Sequence, residues 1–411
     1  MTTILINIRQ LLQIREIEIK KVSGNSMNNL PLIENAFLVL ENDLIIDFGK
    51  MSGLQNLHFD KIIDCTAKIV LPTWCDSHTH LVFAANRDQE FVDRINGLSY
   101  QEIANRGGGI LNSAKKLNET PFEKLYADAS NRLTEAIAQG TGAIEIKSGY
   151  GLTFDGELKM LKVIQKLKQN FSIPIKATFL GAHTYPTDYK DNKQDYINLL
   201  INKMLPEIAK QNLADFVDVF CETNYFSVHD AAVIIKAATS FGLTAKIHVN
   251  QFTSIGGIEM AVKNNALSVD HLEILTDNDI LALQNSETMP VALPSCSFFI
   301  SIPYTPARKI IDSGLPMALA SDYNPGTSPS GNMHFVVATA CIKMKMTPAE
   351  SINAATINGA YAMGVSEVVG SITRGKKANF IVTKPMETFH EIPYLFSQNI
   401  VDQIFINGVA I

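Results

Sequence analysis

Residues 68–80 read KIVLPTWCDSHTH, a continuous apolar run that leads into two histidines separated by one residue. Seven more short apolar runs follow, and helical patterns alternate with them. They begin at Ala143, Ile175, Phe216, Thr244, Ala266, Met289 and Pro316. Strands that are buried on both faces have continuous apolar sequences, and alternation with helices indicates a parallel sheet. Eight such units predict a TIM-type (β/α)8 barrel, with an open doubly wound sheet as the alternative.

Helices are predicted between these runs, whereas the two ends of the chain contain β-type patterns. Ala36–Lys50 contains two β-runs that are broken by Glu41-Asn42-Asp43, and Asn407-Gly408 has the sequence of a hairpin turn. Both ends therefore predict small antiparallel β-elements. The clearest helical patterns cover residues 122–139, 156–170, 228–241, 258–263 and 277–284.

The composition excludes several classes of protein. The 411 residues are 46% hydrophobic and 18% charged, which is typical of a globular chain and not of a disordered one. Lys and Arg number 35 against 41 Asp and Glu, a net charge of −6, and no basic run offers a surface for nucleic acid. No apolar stretch reaches the ~18 residues of a membrane span, and the start lacks the pattern of a signal peptide.

The five cysteines, at positions 65, 75, 221, 296 and 341, are far apart and form no C-x-x-C pair. This spacing indicates reduced thiols in a cytoplasm and neither a disulfide framework nor a structural zinc site.

The first apolar run leads into the pair His78 and His80. Alternate residues of an extended chain point the same way, so these imidazoles face one side about 7 Å apart. Two imidazoles on one face can bind one metal ion. The alternative is a chance pair at the surface.

Three further polar residues end later apolar runs: His248 the fifth, His271 the sixth and Asp322 the eighth. Each histidine alone is explained by a hydrogen bond to a backbone carbonyl. Together they lie where the C-terminal ends of barrel strands meet, which is where barrel active sites are built. A set of histidines with one aspartate suits Zn²⁺ or iron, and Mn²⁺ less well.

This arrangement, H-x-H after strand 1, His after strands 5 and 6, and Asp after strand 8, resembles the amidohydrolase superfamily over nearly the whole chain. The resemblance implies metal-dependent hydrolysis of an amide, amidine or ring C–N bond. It also implies a composite β-sandwich built from both chain ends. We expect residues 1–65 and 366–411 to form the sandwich and residues 66–365 to form the barrel.

Binuclear members of the superfamily carry a carboxylated lysine after strand 4. The fourth run here ends in Cys221-Glu222-Thr223, and Lys147 follows the second run. The resemblance therefore implies one divalent metal per subunit, Zn²⁺ or Fe²⁺/Fe³⁺.

Longer segments resemble one family within the superfamily, the imidazolonepropionases, which open the imidazolone ring in histidine breakdown. The segments at the ends of the second and eighth runs are the most specific. The matching segments are Asn86-Arg87, Gly107–Ile110, Lys147–Leu152, Phe179–His183, Ser321–Pro329 and Ile392–Tyr394.

That resemblance implies hydrolysis of 4-imidazolone-5-propanoate to N-formimidoyl-L-glutamate by a homodimer. The implied metal ligands are His78, His80, His248 and Asp322. His271 and Asp322 are the implied catalytic pair that handles protons. The implied substrate-binding residues are Arg87, Tyr150, His183, Gln251, Asn324, Gly326 and Thr327.

The long interval 84–112 after the first run predicts a lid over the site. Its glycines, Gly107–Gly109, have neither a preceding strand nor a helix start after them, so they indicate a hinge and not a phosphate loop. Arg87 is explained either as a solvated loop residue or, by the resemblance, as a bidentate partner of the substrate carboxylate.

Two other functions remain as alternatives. A deaminase of the same superfamily has a titratable acid at position 251, where this chain has Gln251. A non-catalytic relative typically lacks metal ligands, and all of them are present here.

Overall fold

The computed structural model describes residues 1–55, 58–99, 102–103 and 106–411, which form two eight-stranded sheets. The strands in chain order are β1 Thr2–Leu12, β2 Leu32–Glu41, β3 Leu44–Lys50, β4 Lys61–Asp64, β5 Lys68–Pro72, β6 Trp74–Asp76, β7 Thr141–Lys147, β8 Ile175–Ala182, β9 Phe216–Cys221, β10 Thr244–Val249, β11 Ser268–His271, β12 Met289–Ala292, β13 Ala318–Leu319, β14 Phe380–Pro385, β15 Val401–Ile406 and β16 Val409–Ala410.

The second sheet is a nearly closed parallel barrel. Each strand from β6 to β13 pairs with the next in parallel register. Beyond the ends of β6 and β13 the chain closes the ring, because Asp322 N donates to His78 O at 3.0 Å and His80 N donates to Tyr323 O at 2.9 Å. The barrel prediction is therefore confirmed over the open sheet.

The first barrel strand differs from the prediction. Lys68–Pro72, predicted as barrel strand 1, pairs with β14 and β1 in the other sheet, and the barrel begins at Trp74–Asp76. Both strands are buried and only Thr73 separates them. A single apolar run therefore contains strands of both sheets, and its sequence does not show where one ends and the other begins. Pro72, which has no N–H to donate, ends the first strand.

Helices cover the outside of the barrel, and all five predicted helical patterns form within two residues of their predicted ends. The helices are Asp88–Ile95, Gly109–Glu119, Phe122–Ala138, Phe154–Asn170, Lys193–Leu199, Leu205–Lys210, Val228–Ser240, Gly257–Lys263, Asp277–Gln284, Pro294–Ile300, Ala307–Asp312, Met333–Met344, Pro348–Ala355, Ile357–Ala362 and Glu391–Tyr394. Shorter turns are the 3-10 segments Gly24–Asn28, Met51–Gly53 and Thr187–Tyr189 and the π segment Leu200–Met204. Within the described ranges, no helix has the length and apolar character that crossing a membrane requires.

The first sheet joins both chain ends, as expected. Its order is β16-β15-β14-β5-β1-β2-β3, and β4 lies beside β1. Each strand is hydrogen-bonded to its neighbours along this order, and the sheet packs around a core that includes Leu38, Phe380 and Phe405. The predicted hairpin turn is confirmed, since Asn407 and Gly408 have φ of 49° and 76° between β15 and β16, as a type I′ turn requires.

The predicted lid segment, residues 84–112, contains a helix that the sequence analysis missed. Residues 100–101 and 104–105 of the segment lie outside the described residues. Helix Gly109–Glu119 begins inside the glycine run, where no helix start was predicted. Glu90 Oε1 accepts the Gly109 N–H at 3.0 Å. The helix start is thus satisfied by a residue far back in the chain, which no local pattern reveals.

Candidate active site

The residues predicted to bind metal converge at the C-terminal end of the barrel. His80 Nε2 lies 3.3 Å from His248 Nε2. Asp322 Oδ1 lies 3.6 Å from the Nε2 atoms of both His78 and His80. Each of these residues is at most 3% exposed. Their donor atoms therefore face one small, buried volume.

His271 joins the cluster from the end of β11. A nitrogen of its ring lies within 4.8 Å of ligand atoms of His78 and His248. His271 has φ of +91° and Asp322 has φ of +54°, a region that residues other than glycine rarely occupy. Both proposed proton-handling groups thus lie on unusual backbone, which is common at active sites.

Two buried carboxylates orient the histidines. Asp270 Oδ2 accepts a hydrogen bond from His78 Nδ1 at 2.6 Å, and Asp218 Oδ2 accepts one from His248 Nδ1 at 2.9 Å. A carboxylate on Nδ1 fixes the tautomer and leaves the Nε2 lone pair for a metal.

The cluster fits a divalent cation. His78 Nε2 is buried and has no hydrogen-bond partner among the residues that the structure describes. Burial lowers the pKa of both His78 and His80 well below the usual range, so these rings are neutral. Imidazole lone pairs that converge with a carboxylate form the nitrogen and oxygen set that Zn²⁺ or iron prefers.

Lys147 lies beneath this cluster. Its Nζ is 2.9 Å from Asp218 Oδ2, 2.9 Å from Glu145 Oε1 and 3.9 Å from Asp270 Oδ2, and all these side chains are fully buried. Although burial raises the pKa of Asp218, His248 and Lys147 outweigh it and hold that pKa well below its usual range. One ammonium group therefore contacts both carboxylates that orient His78 and His248.

A cavity opens above the cluster. Its walls include His80, His248, His271 and Asp322 of the cluster, together with the predicted substrate-binding residues Arg87, Tyr150, His183, Gln251, Asn324 and Thr327. Gly326 lies against Arg87, because a Cβ on this glycine would stand 2.3 Å from the guanidinium Nη1. The structure thus brings every predicted substrate-binding residue to this cavity or its edge.

Arg87 is buried and not a solvated loop residue. It is 6% exposed, and its Nε donates to Ser113 Oγ at 2.9 Å. Its Nη2 is buried without a hydrogen-bond partner among the described residues, and the nearest carboxylate oxygen, on Glu90, is 4.0 Å from Nη1. A buried guanidinium with an unused N–H group is suited to bind an anion.

Comparison with known proteins assigns the family. The sequence model of the amidohydrolase family matches residues 69–411. Over all 411 residues of both chains, this protein is 64% identical to a protein named imidazolonepropionase from Flavobacterium johnsoniae. It is 39% identical over 388 residues to one of the same name from Clostridium tetani, covering 94% of this chain and 92% of the relative. The chain belongs to the imidazolonepropionase family. It is a hydrolase of the amidohydrolase superfamily, as its motifs predicted.

Solved structures of other amidohydrolases share the fold of this imidazolonepropionase-family chain. The 5-methylcytosine deaminase of Klebsiella pneumoniae has a TM-score of 0.75 at 14% identity, over 99% of this chain and 97% of the other. The guanine deaminase of C. acetobutylicum has a TM-score of 0.71 at 15% identity, with all of both chains covered. At such low identity these likenesses show the fold alone.

Two predicted substrate-binding residues of this family site already have partners within the protein. Asn324 Nδ2 donates to Asp322 O and Thr327 Oγ1, while its Oδ1 accepts from the backbone N–H groups of Gly326 and Thr327. Asn324 therefore holds the loop after β13. His183 Nδ1 lies 2.9 Å from Gly149 O, and burial and His248 lower its pKa to about 3, so the ring is neutral.

Sequence reasoning missed the charged residues beneath the imidazolonepropionase-family site. Lys147 was considered only as a metal-bridging lysine on the wrong strand. The signal was a charged residue inside an apolar run, as in Glu145 and Lys147 of β7, Asp218 of β9 and Asp270 of β11. Buried charges in neighbouring strands indicate partners for one another.

Proposed function

We propose that this protein hydrolyses 4-imidazolone-5-propanoate to N-formimidoyl-L-glutamate, a step of histidine degradation. The observation that carries the proposal is the unused N–H group of buried Arg87 in the same cavity as the histidine and aspartate cluster. The substrate offers a ring amide for the cluster and a propionate carboxylate for the arginine. The name of relatives that are 64% identical over the full length supports the same reaction.

We propose that His78, His80, His248 and Asp322 hold one metal cation per subunit, Zn²⁺ or Fe²⁺/Fe³⁺. Bound there, the cation supplies Lewis-acid activation of a water molecule. Asp270 and Asp218 keep the Nε2 atoms of His78 and His248 aimed at it.

Asp322 and His271 have different roles in this proposal. Asp322 takes a proton from the attacking water and delivers it to the ring nitrogen as the C–N bond breaks. Burial lowers the pKa of His271, but the charge and hydrogen bond of Glu273 outweigh it and the pKa lies above its ordinary value. The imidazole of His271 donates a hydrogen bond to the carbonyl oxygen, where negative charge develops.

The remaining residues bind and orient the substrate. Arg87 holds the propionate carboxylate through its guanidinium. Gly326, which has no side chain, leaves room for the guanidinium. The neutral amide of Gln251 and the neutral ring of His183 contact the substrate ring and carry no charge at neutral pH. Tyr150, Asn324 and Thr327 complete this binding surface in the proposal.

The finer features of the assembly are also proposals. We propose a homodimer in the cytoplasm, with the sandwich and barrel boundaries at residues 72 and 365, because β5 pairs within the first sheet. The five cysteines support a reducing compartment, since all are free thiols and four of them are buried.

The test is product formation from freshly made substrate. Imidazolone propanoate is generated in situ from urocanate by urocanase, and the metal-loaded protein is then added. We expect N-formimidoyl-glutamate without release of ammonia, and loss of turnover after chelation. Ammonia as the first product would favour the deaminase alternative. A metal-loaded protein that yields neither product would contradict the proposal.

A further inference from the structure

A second group of possible metal ligands lies beside the active site. A ring nitrogen of His271, a carboxylate oxygen of Glu273 and the Sγ of Cys296 lie within 4.8 Å of one another, and all three residues are buried. His271 and Glu273 come from the end of β11, and Cys296 comes from the helix Pro294–Ile300 that follows β12. Neither Glu273 nor Cys296 belongs to the metal-binding set proposed above.

The carboxylate of Glu273 is only partly satisfied. Its Oε1 accepts a hydrogen bond from Ser297 Oγ at 3.3 Å and lies 3.4 Å from His271 Nδ1. Its Oε2 is buried and has no hydrogen-bond partner in the part of the chain that the structure describes. A buried carboxylate oxygen without a partner is costly, and a cation satisfies it.

The Cys296 thiol determines which metal ions suit this group of ligands. A buried cysteine alone behaves as a small hydrophobic residue. Here the Cys296 Sγ stands beside an imidazole and a carboxylate, and it accepts a weak hydrogen bond from Gln251 Nε2 at 3.5 Å. Three ligands of nitrogen, oxygen and sulfur type suit Zn²⁺ or Cd²⁺, whereas Mg²⁺ and Ca²⁺ prefer oxygen alone.

We propose that His271, Glu273 and Cys296 form a second, inhibitory site for a thiophilic divalent cation. As the cation binds, the thiol proton leaves to solvent. The cation also replaces the contact of His271 Nδ1 with Glu273, which moves the ring out of the position in which it donates to the substrate carbonyl. A protein with its first metal in place is active, and one more equivalent of Cd²⁺, or Zn²⁺ in excess, stops turnover. The inhibition rests on the function proposed above, but the binding does not.

The experiment titrates the zinc-loaded protein with Cd²⁺. We expect the ultraviolet absorption of a cadmium–thiolate bond to saturate at one equivalent, together with loss of turnover. Metal analysis after gel filtration should find the original zinc retained and one cadmium added. Mg²⁺ at the same concentration should change neither signal.

Two variants locate the site. Cys296→Ala should keep its turnover in the presence of Cd²⁺ and show neither the absorption nor the added cadmium. Cys341→Ala removes the most accessible thiol, which lies outside this group, and should behave as the unaltered protein.

The proposal is overturned if cadmium replaces zinc without adding to it, or if Cys296→Ala is inhibited at the same Cd²⁺ concentration as the unaltered protein. Cadmium that binds with the thiolate absorption but leaves turnover intact would reject the inhibitory role. A protein inactive on imidazolone propanoate would still report binding through the absorption, so the two proposals fail separately.

Discussion

His271 and Asp322 have backbone conformations that tertiary contacts hold in place. Their φ angles of +91° and +54° cost each residue about 1–3 kcal/mol. Thr305 Oγ1 donates to His271 O at 2.6 Å, and Asp322 N donates to His78 O at 3.0 Å. The two proposed catalytic groups are therefore fixed by neighbouring strands and loops.

Replacing His248 with alanine should remove the metal. The change deletes one ligand and leaves the Asp218 carboxylate without its imidazole partner. We expect metal content near zero and turnover lost, measured by elemental analysis and product assay. His229→Ala, on the exposed side of helix Val228–Ser240, is the control and should keep both. A His248→Ala protein with full metal and full rate would reject this ligand.

Replacing Arg87 with lysine should raise KM. Lysine keeps the charge but loses the planar fork that binds a carboxylate through two hydrogen bonds. If the contact is equally strong in the ground and transition states, kcat changes little. Steady-state kinetics with imidazolone propanoate measure both constants. An unchanged KM would mean that Arg87 does not bind the propionate.

Gly326→Ala offers an independent check on Arg87. The new methyl group would stand 2.3 Å from Nη1 and displace the guanidinium. We therefore expect the same rise in KM. Gly53→Ala, where a Cβ meets nothing within 4 Å, should leave the kinetics unchanged.

Most residues around the site could be predicted from the sequence, because the H-x-H pair and the polar ends of the strands follow local patterns and the family resemblance implies the substrate-binding residues. The burial and the hydrogen-bond partners of these residues could not be predicted. Arg87 is buried by contacts with Ser113 and Gly326, and Asn324 is engaged within its own loop. Such partners depend on the three-dimensional fold.

At the scale of elements, four barrel strands share one buried charge network beneath the histidine cluster, since Lys246 of β10 also lies 3.8 Å from Asp270. Lys147 of β7 reaches Asp218 of β9 and Asp270 of β11, which orient His248 and His78. Partners of ligating histidines affect metal affinity by about 10–100-fold when changed.

Lys147→Met should weaken metal binding by about 10–100-fold, because both carboxylates lose their common counter-ion. Competition with a chelator measures the affinity, and circular dichroism checks the fold. Lys246→Met is the matched control. Lys246 is also buried and lies 3.8 Å from Asp270, but it bonds to Ser268 and the Ala362 carbonyl and forms no ion pair with Asp218 among the described residues. Its replacement should therefore cost less affinity, and equal losses in both variants would show that the contact of Lys147 with Asp218 does not support metal binding.

Asp215 joins β8 to the start of β9 and gives a pH-dependent prediction. Burial raises its pKa, but the Ala177 N–H and Lys168 outweigh this and the pKa lies below its usual value. A lowered pKa contributes stability above the unfolded pKa of about 3.9 and loses it as pH falls through the folded pKa.

Asp215→Asn should therefore destabilise the protein at pH 7 by about 1–3 kcal/mol, since hydrogen bonds to a charged group are lost. In thermal unfolding at pH 7, the variant should have a lower Tm than the unaltered protein. The difference in Tm between the two proteins should become smaller toward pH 3. Asp191→Asn, at an exposed position, should show no such difference. A difference that is constant with pH would exclude an electrostatic cause.

Element boundaries show where sequence reasoning ends. The predicted bounds of the helix Asp277–Gln284 agree with the structure, in which Thr276 and Asp279 form a capping box around its start. The division of residues 68–76 into β5 and β6 was missed, because both strands are apolar and buried. Only the pairing partners distinguish them.

At the scale of the molecule, the chain-end sheet and the barrel are joined by buried polar contacts. Gln13 Nε2, just after β1, donates to Asn353 Oδ1 and Thr356 Oγ1 at 2.7 and 2.8 Å. Asn358 Nδ2 donates to the carbonyls of Val22 and Met317. The segment after β1 is thus bonded to the helices that follow β13, which carry the chain from the barrel back to the first sheet.

Turnover in H₂¹⁸O, followed by mass spectrometry and ¹³C NMR of the product, tests most directly whether this molecule directs water to the ring carbonyl of imidazolone propanoate. We expect one ¹⁸O atom in the new carboxylate of N-formimidoyl-glutamate, and no product from the chelated protein. Label on the carbon between the two ring nitrogens, or ring opening without metal, would contradict it.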